Sequence, residues 1–71
     1  MSHQFAVHGD YIQLDQLLKA LGWCDSGGAA HAAIADGQVR VDGAVDTRKR
    51  AKLRPGQAVS FAGEIVTLLA E

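Results

Sequence analysis

The hydrophobic period of this chain changes from about 3.6 to about 2 residues at a glycine. Before Gly37, Leu14, Leu17, Leu18 and Leu21 recur at i, i+3, i+4 and i+7, which lines one face of a helix. After it, Val39 and Val41 alternate with Gln38, Arg40 and Asp42, the period of a half-buried strand. A weak opening strand, two helices and then three or four short strands favour an α+β domain, with the helices packed on one face of a small sheet.

Turn and cap signals divide the pattern further. Asp15 near the start of the leucine stretch and Lys19 near its end suit the helix dipole, and Gly22 is a terminator, so the first helix is expected over approximately residues 14–21. Asp25 or Ser26 can cap a second helix over approximately residues 27–36, where Ala29, Ala30, Ala32 and Ala33 carry high helix propensity. Ala30, Ala33 and Ile34 share the face that would meet the first helix. Phe5-Ala6-Val7-His8 reads as a short opening strand. Asp42-Gly43, Pro55-Gly56 and Gly63-Glu64 mark turns between later strands at Val39–Val41, Val59–Phe61 and Ile65–Leu69.

With 71 residues, one domain spanning 1–71 is expected. A domain of this size buries only roughly 60% of its unfolded surface, which leaves little core to give up to a cofactor cavity. The single cysteine, Cys24, argues against a disulfide scaffold and for a reducing, cytoplasmic location. The first residues lack a signal-peptide pattern, and no apolar stretch is long enough to span a membrane.

Charge is the more telling feature. The net charge is only −1, yet six of the seven cations lie between residues 40 and 54: Arg40, Arg48, Lys49, Arg50, Lys52 and Arg54. With Asp42 and Asp46 that window carries +4, and the remainder, one lysine against six acids, carries −5. So uneven a distribution implies one anion-facing surface. Lysine and arginine beside a phosphate backbone release condensed counterions, and arginine grips phosphate through two hydrogen bonds. A solvated loop, or an edge strand protected by charge, is the plainer reading of the same run.

Ser26-Gly27-Gly28 offers exposed amides at a helix start, where the dipole favours a phosphate. No Gly-Lys-Ser/Thr follows, so this is not a P-loop, and a turn with an ordinary cap is the alternative. His31, one turn into the second helix, is placed to reach the same phosphate or its sugar, or else is a simple exposed polar residue. Trp23 and Phe61 are expected in the core, with base stacking, open also to Tyr11, the lesser reading. His3, His8 and Cys24 lack metal-ligand spacing, Cys24 has no activating neighbour, and no catalytic set emerges. Neither cofactor, metal nor enzymatic activity is expected.

The string Gln13-Leu14-Asp15-Gln16-Leu17-Leu18, then Ser26-Gly27-Gly28-Ala29-Ala30, then Ile34-Ala35-Asp36-Gly37-Gln38-Val39-Arg40-Val41-Asp42-Gly43 resembles the S-four-type RNA-binding domain. The likeness runs through Arg48-Lys49 to Pro55-Gly56-Gln57-Ala58-Val59 and covers approximately residues 12–61. Gly22-Trp23-Cys24, Ser26-Gly27-Gly28 and Thr47-Arg48-Lys49-Arg50 are similar to the small stand-alone YbcJ-like bacterial members. The resemblance implies two antiparallel helices on a small sheet of about four to five strands (the alpha-L arrangement). It also implies structured RNA lying across helix two and the following strand and loop. The wider family carries arginine where this chain has Gln13, and a basic residue where it has Gly27, which shifts the expected contact onto Arg40 and residues 48–54.

The expected function is thus recognition of structured RNA, ribosomal or tRNA-like, by a monomer through phosphates and shape. The expected contacts are Ser26, Gly27, Gly28, His31, Arg40, Arg48, Lys49, Arg50, Lys52 and Arg54. The alternative is a protein-interaction module docking on an acidic partner. A DNA-reading helix-turn-helix is disfavoured, because helix two has almost no side chain able to read base edges.

Overall fold

A computed structural model describes residues 2–71. Strand β1 (Ser2–Val7) opens the chain, followed by the two-residue β2 (Ile12–Gln13) and then helix α1 (Leu14–Ala20). Helix α2 (Gly27–Ala35) precedes β3 (Val39–Val41), β4 (Ala44–Val45), β5 (Lys52–Leu53), β6 (Ala58–Phe61) and β7 (Glu64–Ala70). Five strands form one mixed sheet in the order β1-β7-β6-β3-β4, while β2 and β5 pair separately as a small antiparallel ribbon. The first and last strands of the chain lie side by side and parallel, Phe5 opposite Leu68. The other pairings in the large sheet are antiparallel.

The α+β arrangement follows from the period change. Leu14, Leu17 and Leu18 of α1 and Ala30, Ala33 and Ile34 of α2 are buried against Val39, Val59, Val66 and Leu68 of the sheet. Alternation then decides what the far face presents. Arg40 stands opposite Val45 and Ser60, and Ser60 opposite Ile65, so these four occupy the sheet face turned away from the helices. Of that row, Val45 and Ile65 are exposed apolar side chains, separated by Arg40 and Ser60.

Helix ends form where the sequence places them. Ser26 caps α2, its Oγ accepting the Ala29 amide at 3.1 Å. The chain leaves α2 through Gly37, whose φ of +78° is costly for a residue with a Cβ. Asp42 and Gly43 both have positive φ, as the tight hairpin between β3 and β4 requires.

Two boundaries depart from the sequence reading. The opening strand starts three residues earlier than expected, at Ser2, because pairing with β7 extends it along its whole length. The third turn is centred on Ala62-Gly63, not Gly63-Glu64, with Ala62 held at a φ of 53°.

Candidate functional site

The basic segment is held by its backbone. Helix α1 has no side-chain cap, so the amides of its first turn need other acceptors. The Leu14 amide donates to the Ala51 carbonyl at 3.0 Å, and the Asp15 amide donates to the Lys49 carbonyl at 2.9 Å. Ala51 and Leu53 are buried as anchors, and Lys52-Leu53 pairs with Ile12-Gln13. Main chain and apolar side chains thus fix residues 49–53, while Lys49, Arg50, Lys52 and Arg54 point into solvent. With Arg48 and Ala51 they line an open groove of about 620 Å³.

The cations differ in what engages them. Asp46 takes Arg48 through two bonds, from Nε at 3.1 Å and Nη2 at 2.9 Å, and also accepts its amide at 2.9 Å. That pairing with Arg48 outweighs burial and holds the Asp46 carboxyl below the usual range; the same contact raises the Arg48 guanidinium. Lys52 Nζ lies 5.1 Å from the centre of the Tyr11 ring, a cation–π distance. The side chains of Lys49, Arg50 and Arg54 have no acceptor among the described residues. Asp42, the other acid in the window, accepts the Ala58 amide at 2.9 Å and the Gln57 side chain at 3.3 Å.

Arg40 is placed apart from this groove. It stands on the sheet face away from the helices and donates to the Gly43 carbonyl at 3.3 Å.

Helix α2 contributes in a different manner. The Ser26 hydroxyl serves the cap, while the amides of Gly27 and Gly28 have no acceptor among the described residues. Neither glycine has positive φ; a Cβ at Gly27 would meet nothing within 4 Å and one at Gly28 would meet Ser26 Oγ at 3.8 Å, and Gly28 is exposed while Gly27 is half-buried. His31 follows Gly27 and Gly28 by four and three residues and so shares their helix face. Its Nε2–H donates to Asp15 Oδ2 at 2.9 Å. Burial pushes the Asp15 carboxyl up, but His31, the Gln16 amide and nearby Arg50 together hold it below the usual range. Asp15 thus joins the helix-two face to the basic segment. Its place at a helix start was legible in the sequence, but its partner sixteen residues away left no local signal.

The remaining candidates have partners within the fold. Trp23 packs between His3 and Phe61, with ring centres 5.9 and 6.3 Å away, and both Trp23 and Phe61 lean on the core. Cys24 is buried, and burial together with Asp25 raises its thiol. His3 and His8 bond to Glu64 and Glu71. Among the described residues no three His, Cys, Asp or Glu are grouped to hold a metal ion, and no helix is long and apolar enough to cross a membrane.

Known proteins carry the same pattern. The family model of the S4 domain matches residues 5–69. YbcJ of Escherichia coli (strain K12) is 57% identical over 60 residues, covering 84% of this chain and 86% of that protein. YbcJ of Shigella flexneri matches to the same extent. The solution structure of E. coli YbcJ, described as revealing an alpha-L motif involved in RNA-binding, aligns with 97% of this chain and 86% of its own at a TM-score of 0.67 and 51% identity. The match spans nearly the whole length, in sequence and in fold, and the chain belongs to the S4 domain family.

Proposed function

We propose that this chain is an RNA-binding module that recognises structured RNA through backbone phosphates and shape. The observation that carries the reading is the groove of residues 48–54. Its main chain is fastened to the start of α1, while the side chains of Lys49, Arg50, Lys52 and Arg54 form no hydrogen bond or ion pair with a carboxylate among the described residues. A backbone fixed in this way need not be ordered on meeting a phosphate backbone, which leaves only the side chains to settle. The amides of Gly27 and Gly28, which have no acceptor among the described residues, add a helix-start anion site beside His31, with Ser26 holding that turn in shape. Arg48 and Arg40 contribute less, the first because Asp46 occupies its guanidinium, the second because it faces elsewhere.

The S4 family and the RNA-binding motif described for YbcJ support the same reading. The module acts as a cytoplasmic monomer without catalytic activity, on ribosomal or tRNA-like structured RNA. Among the exposed large apolar side chains, Val45 and Ile65 are separated on the sheet by Arg40 and Ser60, and Tyr11 lies against Lys52.

Salt dependence tests the reading. Four phosphate contacts predict a log–log slope of affinity against salt of about −3 to −4 for a stable RNA stem-loop, and Lys49→Ala with Arg50→Ala lowers its magnitude by roughly 1.5 to 2. A slope near zero, or a double variant that binds as the wild type does, contradicts it.

A further inference from the structure

An acid beside a phosphate-binding groove ought to weaken it, yet Asp15 is built into this one. Its amide holds the Lys49 carbonyl at 2.9 Å, its Oδ1 accepts the Gln16 amide at 2.8 Å, and its Oδ2 accepts His31 Nε2–H at 2.9 Å. Its side chain is only 14% exposed, and that of His31 35%. Arg50 acts on the same carboxylate. One residue therefore touches both halves of the candidate surface, the basic segment by its backbone and helix two by its side chain.

We infer that Asp15 and His31 form a positioning pair that fixes the basic segment relative to the amides of Gly27 and Gly28. A phosphate backbone offers anions at set spacings, so two anion sites act together only when the distance between them is held. The carboxylate is acceptor-only and the imidazole supplies the donor, which makes this a directional link between two helices that share few other polar contacts. His31 on this view meets RNA through Asp15 and not directly. The inference rests on the proposed interface.

Its test turns on a sign. Removing a negative charge beside the groove should tighten RNA binding if Asp15 is only a nearby charge. A positioning role predicts the reverse: Asp15→Ala weakens binding of an RNA stem-loop about tenfold, a loss of the size that follows one charge-assisted hydrogen bond. His31→Ala matches it, the double variant is no worse than either single one, and His31→Gln, which keeps a donor, stays within about twofold of the wild type. Asp15→Asn retains an acceptor and guards against a variant that simply fails to fold; it too is expected to bind nearly as the wild type does. Tighter binding by Asp15→Ala overturns the inference, as does an equal loss in His31→Gln and His31→Ala, which would make His31 an RNA contact.

Amide hydrogen exchange separates this inference from the interface reading. In His31→Ala the Leu14 and Asp15 amides, which hold the basic segment, exchange faster without RNA present. If they do and the Lys49 and Arg50 variants still bind RNA normally, the interface is elsewhere but the pair stands. Unchanged exchange at both amides overturns the pair.

Discussion

The basic segment and the start of helix two serve the fold in opposite ways. In residues 49–54 the backbone serves the fold: the carbonyls of Lys49 and Ala51 complete the first turn of α1, and the side chains of Lys49, Arg50 and Arg54 are left over for a ligand. In residues 26–31 the side chains serve the fold: Ser26 caps the helix and His31 is bound to Asp15, while the amides of Gly27 and Gly28 are left over. One half offers mobile charges on a fixed frame, and the other offers fixed dipoles. A domain with a modest net charge thus gathers exposed cations and unbonded helix-start amides with few cations on its helices.

The strongest way to break this contrast is to loosen the frame beneath the cations. Leu53 is 1% exposed, and Leu53→Ala is expected to destabilise the domain by about 2–4 kcal/mol in denaturant unfolding. A much smaller loss would mean that the basic segment is not anchored through the core. Ser26→Ala removes the helix-two cap and is expected to cost about 1 kcal/mol, because the Ala29 amide loses its acceptor. A neutral result would release Ser26 from a structural role and return it to the ligand.

Acid should act on the frame as well. Asp15 and Asp46 both have folded values below the ordinary 3.8. The stability each contributes is therefore present in full above the unfolded value and is lost as pH falls through the folded one. The thermal midpoint of the wild type should drop between about pH 5 and pH 2 by more than that of Asp15→Asn or Asp46→Asn. Equal drops would show that neither carboxylate is held by its partners. The smallest effect is expected from Arg48→Ala. An exposed guanidinium already paired with Asp46 should change RNA affinity by no more than about twofold, well below the loss in Arg50→Ala.

Much of the frame was legible beforehand because it rests on local chemistry. The leucine spacing, Ser26, Gly37 and Asp42-Gly43 each act within a few residues, and each stands where its pattern places it. What remained hidden depends on distant partners. Ile12-Gln13 is too short to read as a strand and exists because Lys52-Leu53 lies beside it. The extra length of β1 comes from β7, at the other end of the chain. The run of cations was evident as charge, but its members were equivalent until Asp46 was found on Arg48 and Tyr11 under Lys52. Arg40 belonged to the run by sequence and left it by strand alternation, which turns it to the far face of the sheet.

The division of labour is tested most directly by the backbone amide shifts of the labelled protein as a stable RNA stem-loop is added. The largest changes are predicted at Gly27 and Gly28 and along residues 48–54, with Ile65 and Leu69 on the outer sheet face unmoved. Changes centred instead on the groove of Trp23, Asp25, Ala32, Asp36 and Phe61, on the other side of helix two, would contradict it.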